Sequence, residues 1–520
     1  MSLAIELENI DKRFGAVHAN VNVDLQVREG SIHGIVGENG AGKSTLMSIL
    51  YGFYHADAGT IKVFDKECHF QDSHQAIAIG IGMVHQHFML IDNFTVLENV
   101  MLGAEGGYLL AEGMDKARTE LQRLAREYGL DVDLDATIES LSVGLQQRVE
   151  ILKALYKGAK ILILDEPTGV LTPQETDELF KIFAALKEQG VTIVLITHKL
   201  REIMAVTDAV SVMRQGAMVA HVATETTSES QLAELMVGRK VLLDVTKSDI
   251  KPGEVLLKVK QLNWQDQHGV MRLKNINLDI RAGEVLGVAG VSGNGQSELL
   301  QVLSGINPIQ DGCIEVHGNS FTVKQQTNAG KMREFGMAHV PEDRHKMGMI
   351  TEFSAAESAI LGYHKDAELN NGIWLKPDLV EKRCLDLMQA FDVRPNDVKL
   401  KSANFSGGNQ QKLILAREME HQPEVLLIGQ PTRGVDVGAI EFIHQRILDM
   451  RDAGKAVLLV SVELEEILSL SDRIIVMCDG EITGRMAIED ADERSIGMLM
   501  ANAQQAHDPL QANEKQGVQA

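Results

Sequence analysis

The chain has 520 residues, 44% of them hydrophobic and 24% charged, with a formal net charge of −23. Single hydrophobic cores stop growing at roughly 250–300 residues, so this length predicts two domains. The acidic balance argues against nonspecific nucleic-acid binding, which depends on Lys and Arg neutralising phosphates.

The N-terminus, MSLAIELENIDKRFG, is polar by its sixth residue and unlike a signal peptide. No uninterrupted apolar run approaches the roughly 18–20 residues that span a bilayer, so a role at a membrane would need another chain to supply the span. Cys68, Cys313, Cys384 and Cys478 form no CxxC pair, as expected of thiols in a reducing compartment.

The first chemical motif follows the short apolar run SIHGIVG, which reads as a buried strand. It is the stretch Gly37, Glu38, Asn39, Gly40, Ala41, Gly42, Lys43, Ser44 and Thr45, which opens the helical pattern STLMSILYGFY. Gly37, Gly40 and Gly42 permit a tight backbone that turns N–H groups onto phosphate oxygens. Lys43 adds a point charge at the β- and γ-phosphates, and the Ser44 hydroxyl can ligate Mg²⁺. Further on, the apolar run ILILDEP ends in Asp165 and Glu166. There Asp165 would support Mg²⁺, and Glu166 would polarise an attacking water. The segment PQETDELFKIFAALKEQG has acidic residues in its first turn, a late lysine and a glycine stop, so it reads as a helix. His85 and His87 invite a metal reading, but no third ligand stands at suitable spacing.

The chain then repeats itself. Gln296, in GVSGNGQS, stands 253 positions after Lys43. Ser406 in FSGGNQQK stands 264 after Ser142 in LSVGLQQR. The same 264 separates Gln430 from Glu166 and Val462 from His198, which predicts two copies of one α/β fold with a short insertion in the second. The expected boundaries are 3–239 and 253–503, joined by a linker over 240–252 and followed by a flexible polar tail over 504–520.

Both LSVGLQQR and FSGGNQQK are similar to the signature sequence of the ATP-binding cassette ATPases, and the resemblance covers about Leu3 to Asn502. It implies two tandem P-loop domains, each with a mostly parallel sheet, an antiparallel β subdomain and a helical signature subdomain. It also implies ATP and Mg²⁺ as cofactors. Gln86, in GMVHQHF, would contact the metal and sense the transporter partner, and His198 would contact the γ-phosphate. Phe14 would stack on adenine, and Asp436, in TRGVDVG, would be an interface aspartate. Ser406 can cap a helix whose positive end, left open by Gly407 and Gly408, is an anion site. The resemblance implies that it closes over the nucleotide of the other domain.

On that pattern one composite site is complete: Lys43, Ser44, Gln86, Asp165, Glu166 and His198, lidded by Ser406, Gly407, Gly408 and Asp436. The other is degenerate. Gln296 replaces the lysine, Gly429 stands where Asp165 stands, Gln430 replaces the base, and Val462 replaces the histidine. Its facing signature carries Val143 in place of a glycine, and Thr172 stands at the interface aspartate. The losses are distributed by composite site and not by domain.

Two fused cassettes without membrane segments resemble the ATPase subunit of bacterial importers for simple sugars and nucleosides. The segments MVGR (236–239), PEDRH (341–345) and QPTRGVDVGAIEFI (430–443) carry that similarity, and the lost second acidic pair is more like the nucleoside branch. The resemblance implies two transmembrane permease subunits, an indirect extracytoplasmic substrate-binding protein, no nucleic-acid partner, and a peripheral place on the cytoplasmic face of the inner membrane. Monosaccharide import is the alternative. Ribosome-associated tandem cassettes are a remote one, since those resemble chains with a long basic linker and two intact catalytic glutamates.

Overall fold

The computed structural model of the protein describes residues 2–15, 17–85, 88–103, 110–169, 171–240, 247–371, 373–435 and 437–505. It comprises two compact units, Met1–Leu242 and Leu243–Ala520. Of the expected linker, residues 241–246 lie outside the described residues. The last helix, Glu493–Gln505, runs two residues into the expected tail, and 506–520 lie outside the described residues.

The first unit contains β1 (Leu3–Phe14), β2 (Val17–Arg28), β3 (Ile32–Gly37), β4 (Ala58–Val63), β5 (Lys66–Cys68), β6 (Ile81–Val84), β7 (Ile161–Asp165), β8 (Thr192–Ile196), β9 (Ala209–Arg214) and β10 (Ala217–Ala223). They form a four-stranded antiparallel sheet in the order β2-β1-β4-β5 and a six-stranded sheet in the order β10-β9-β3-β8-β7-β6. In the six-stranded sheet every pair is parallel except β9 with β10. Burial explains the two compositions. Every residue of β3 and β8 is buried, and only Asp165, at the end of β7, is partly open. A parallel sheet covered on both faces needs such continuous apolar runs. From Leu25 to Arg28, β2 alternates buried and exposed residues, as a sheet with one wetted face requires.

The second unit repeats this order with β11 (Val255–Gln265), β12 (Met271–Arg281), β13 (Glu284–Ala289), β14 (Asp311–Val316), β15 (Asn319–Thr322), β16 (Met337–Val340), a short ribbon of β17 (Asn370–Asn371) and β18 (Trp374–Leu375), then β19 (Val425–Gly429), β20 (Ala456–Ser461), β21 (Arg473–Cys478) and β22 (Glu481–Ala487). Its sheets run β12-β11-β14-β15 and β16-β19-β20-β13-β21-β22. Strand for strand this is the topology of the first unit.

The signature segments also form as expected. Ser142 caps the helix Val143–Tyr156, accepting from the Leu145 amide at 3.4 Å, and Ser406 caps the helix Gly407–Met419. The helix Pro173–Glu188 has its capping box between Thr172 and Glu175 and buries Leu179, Ile182, Phe183 and Leu186. Phe183 is fully buried. Phe183→Ala should cost about 3–5 kcal/mol, the range for emptying a buried aromatic site. A lowered denaturant midpoint for the transition of the first unit is the check.

Candidate functional site

Parallel register brings the first unit's chemistry to one sheet edge. Ile35 of β3 lies opposite Ile196 of β8, and Ile196 lies opposite Asp165 of β7. All three strands therefore end together, where open α/β sheets bind ligands. The Gly-rich loop leaves β3 there and enters the helix Lys43–Leu50. Gly40 and Gly42 have φ of 80° and 97°, the left-handed region that glycine enters without penalty. A Cβ on Gly42 would also overlap the Ala19 carbonyl oxygen and come within 2.8 Å of Asn20 Nδ2. Asn20, fully buried, donates to Gly42 O at 3.1 Å and so pins the loop to β2.

Lys43 is buried, and its Nζ donates to Gly37 O at 2.7 Å and Glu38 O at 3.0 Å. The amine thus lies along the loop's own backbone. Glu38 and Thr45 are half-buried, Asn39, Gly40 and Ser44 are exposed, and Ala41 is buried. Burial pushes the Asp165 carboxyl above its usual range, with the Ser44 hydrogen bond and the Lys43 charge opposing the rise. The Ser44 hydroxyl and the Asp165 carboxylate are hard oxygen donors of the kind Mg²⁺ takes alongside phosphate oxygens. The donor set fits that ion.

Glu166 departs from strand geometry with φ 49°, while its amide donates to Ile196 O at 2.8 Å. This bend carries its carboxylate to His198, whose Nδ1 lies 2.9 Å from Glu166 Oε1. Burial alone would raise the Glu166 pKa. The His198 hydrogen bond and the charges of His198, Lys43 and Lys199 outweigh it and hold the group below its usual range. Glu166 is therefore an anion at neutral pH, as a proton acceptor must be. The buried Glu202 carboxylate, missed in the sequence, takes a 2.5 Å hydrogen bond from Thr168 Oγ1 and one of 3.4 Å from Thr197 Oγ1. It thereby joins the turn after Glu166 to the turn before His198.

Phe14 ends β1 with its ring 42% exposed. It is edge-on to Tyr54 at 5.1 Å between centroids, and Lys12 Nζ lies 5.4 Å from it. An exposed ring of this kind can take a planar base. Gln86 and Asp436 lie outside the described residues. Ser406 is exposed at its helix N-terminus, Gly407 is half-buried, and Gly408 is buried. A Cβ on Gly407 would stand 2.6 Å from an Arg344 guanidinium nitrogen and 2.9 Å from Gly434 O.

The second unit keeps the scaffold and changes the chemistry. Gly293 and Gly295 have φ of 91° and 98°, close to Gly40 and Gly42. Gln296 is buried and donates to Val291 O at 3.1 Å, lying along the loop as Lys43 does but without charge. Gln430 repeats the bend of Glu166 with φ 48°, and its Oε1 accepts from the Val462 amide at 3.3 Å. Gly429 does not leave this region without a carboxylate, because the Glu342 stem lies against Gly429 and its carboxylate accepts a hydrogen bond from Ser297 Oγ. The sequence signal was the PEDRH stretch, but only strand pairing places it.

A sequence profile for the ABC transporter family matches residues 21–169 and 273–433, one match in each unit. The nucleoside import ATP-binding protein NupA of Lactococcus lactis subsp. cremoris is 44% identical, over 95% of this chain and 97% of the relative. The glucose import ATP-binding protein TsgD13 of Haloferax volcanii is also 44% identical, over 95% of each chain. Among solved structures, one titled RNase-L Inhibitor aligns with a TM-score of 0.62 at 21% identity, over 95% of this chain and 93% of that one, a likeness of fold.

Two outcomes test this geometry. Gly42→Ala should weaken ATP binding at least about tenfold, since a left-handed non-glycine residue costs about 1–2 kcal/mol before any overlap is counted; titration with a fluorescent nucleotide reads it. His198→Ala removes the main contact that lowers the Glu166 pKa. The acid limb of the remaining turnover should therefore move to higher pH in a pH–rate profile.

Proposed function

The chain belongs to the ABC transporter family as an ATP-binding protein with two cassettes, and on that premise we propose that it is the energy-coupling ATPase of a bacterial nucleoside importer with one competent hydrolytic site. The observation that carries the reading is the pairing of Glu166 with His198 at 2.9 Å, beside an intact Gly-rich loop and Asp165. Loop amides and Lys43 hold the phosphates, Phe14 takes the adenine, and Glu166 accepts the proton of the attacking water. Mg²⁺, held by Ser44, Asp165 and Gln86, would supply charge neutralisation on the phosphate oxygens.

The signature helix led by Ser406, with Gly407, Gly408 and Asp436, serves as the lid of this site in the closed state. This assignment rests on motif integrity: the loop and acidic pair of the first cassette and the signature of the second are the complete ones. Nucleotide binding draws the cassettes together, and hydrolysis releases them.

Coupling to two permease subunits runs through residues 86–103. Within this segment Val96, Leu97, Val100 and Met101 are buried, whereas Met89, Ile91 and Leu102 are exposed. Its apolar content is therefore partly core and partly available surface. Among the described residues no helix is long and apolar enough to cross a membrane. The proposed place is peripheral, on the cytoplasmic face of the inner membrane beneath the permeases, with an extracytoplasmic binding protein delivering the solute.

The nucleoside assignment draws on the nucleoside-import relative and on the second cassette's lost acidic pair. A sugar cargo is the second reading, favoured by the equally similar glucose-import relative. Cells lacking this chain should lose uptake of labelled nucleosides and keep uptake of labelled glucose and pentoses; the reverse pattern selects the sugar reading. Cosedimentation with ribosomes in the absence of membranes would instead favour a translation role. Glu166→Gln should cut ATP turnover by about 10²–10⁴-fold, the usual contribution of a general base, while leaving ATP binding in place. Near-normal hydrolysis in that variant would refute the assignment.

A further inference from the structure

Strand register identifies the positional counterpart of Gln86 in the second unit. Val84 of β6 pairs with Leu164 of β7, and Val340 of β16 pairs with Ile428 of β19. Leu164 precedes Asp165 as Ile428 precedes Gly429, so the residue two beyond each outer strand residue corresponds: Gln86 in one copy, Glu342 in the other. The first copy thus has an amide at this position and a carboxylate on the adjacent strand. In the second copy the carboxylate is on the outer strand's loop and the adjacent position is bare.

The exchange is spatial as well as positional. A Cβ built on Gly429 would overlap Glu342 Cγ and lie 3.0 Å from the Glu342 amide. The Glu342 stem therefore fills the space into which an aspartate at 429 would grow. Its carboxylate accepts from Ser297 Oγ, the second residue of the helix Gln296–Leu303 and the counterpart of Ser44. The hydroxyl–carboxylate pair of the first unit, Ser44 with Asp165, is thus present again as Ser297 with Glu342.

We propose that Glu342 is a relocated metal-supporting carboxylate, and that the second cassette holds a magnesium nucleotide on Gly293, Gly295, Ser297 and Glu342 without hydrolysing it. The proposal rests on the reading of this chain as a two-cassette ATPase with one competent hydrolytic site. A hydroxyl and one carboxylate, completed by phosphate oxygens and water, is a sufficient set for Mg²⁺, which rarely uses an all-protein cage. Turnover is lost for a separate reason. Gln430 cannot accept a proton near neutral pH, and Val462 offers only a backbone amide where His198 offers a ring. Metal binding and hydrolysis are therefore uncoupled in this unit.

Mn²⁺, a paramagnetic substitute for Mg²⁺, makes the metal countable by electron paramagnetic resonance in the full chain with a non-hydrolysable ATP analogue. The wild type should bind two Mn²⁺ per chain. Asp165→Ala should remove or weaken the one in the first unit, and Glu342→Ala the one in the second, by at least about tenfold, the change expected when a metal's supporting contact is lost. Retention of the other Mn²⁺ in each variant shows that the chain remains folded. The double variant Glu342→Ala/Gly429→Asp should restore the second ion in part, since it removes the glutamate stem but leaves Leu300 Cδ1 and the residue 342 amide 2.8 and 3.0 Å from the new Cβ. A wild-type count of one, or two ions of unchanged affinity in Glu342→Ala, overturns the proposal. If Asp165→Ala keeps both ions while Glu342→Ala loses one, the reading of the first site fails and this one stands.

Discussion

The parallel register of β3, β7 and β8 is the constraint on which the rest depends. It fixes where three chain segments, ending at Gly37, Asp165 and Ile196, leave the sheet. A slip of one residue would move Asp165 and the start of the Gly-rich loop out of line with the end of β8, because Ile196 is the common partner of Ile35 and Asp165. The bend at the end of β7 then does the aiming. A non-glycine residue in the left-handed region costs of order 1–3 kcal/mol and persists only where its surroundings over-determine it. At Glu166 those surroundings are the amide bond to Ile196 O and the side-chain contact to His198. Gln430 keeps the same bend, with its amide on Val460 O and its side chain on the Val462 amide, although no base is present. The strained turn is therefore a property of the architecture. On the proposed reading, catalysis in the first unit would use a geometry that the fold imposes on both.

What could be read directly from the chain was local. The Gly-rich loop, the acidic strand end and the capped signature helix are each specified within about a dozen residues, by φ requirements, burial and helix-end chemistry. Continuous apolar runs revealed β3 and β7 for the same reason, since both of their faces are covered. Contacts that depend on pairing between strands were not legible. Asn20 reaches Gly42 across 22 residues, and Glu202 joins Thr168 to Thr197 from a helix that follows both. The insertion in the second copy was visible only as a change of offset from 253 to 264. Structure divides it: β16 stands 256 positions after β6, so three residues enter before it and eight after it. The later stretch contains the one-turn π-helix Arg344–Gly348 and the ribbon of β17 and β18.

The pattern of loss in the second unit follows from the cost of buried charge. Removing one member of a compensated buried set leaves its partners uncompensated, and breaking such a pair costs about 3–5 kcal/mol, whereas replacing the set with neutral groups of similar shape can be nearly neutral. Lys43, Asp165, Glu166 and His198 form a partly buried set of this kind in the first unit, with a correspondingly smaller cost: Lys43 acts on both carboxylates and His198, the most open of the four, on one. Their counterparts Gln296, Gly429, Gln430 and Val462 carry no charge at all. Once the lysine has gone, a carboxylate at 429 or 430 would sit half-buried without its cation, so their joint loss is the stable solution. The replacements are also matched in shape, because Gln296 and Gln430 make side-chain hydrogen bonds along the paths of Lys43 and Glu166.

Glu342 stands outside that logic and needs its own account. Burial raises the pKa of its carboxyl, and Glu298 adds to the rise, while the Ser297 hydrogen bond and the Arg433 charge pull against it. A carboxylate in that position is more costly than a neutral group would be, and no strand pairing requires it, since β16 ends at Val340, two residues earlier. The neighbouring loop keeps the left-handed glycines that phosphate binding requires, which are themselves a conformational cost if the loop holds nothing. Two costs kept together, a glycine-shaped loop and a half-buried carboxylate on its serine, are what a nucleotide with its metal would offset. On the proposed reading, groups that would add charge without adding to that binding are the ones absent from the second unit, and Ser297 with Glu342 would be what holding alone requires.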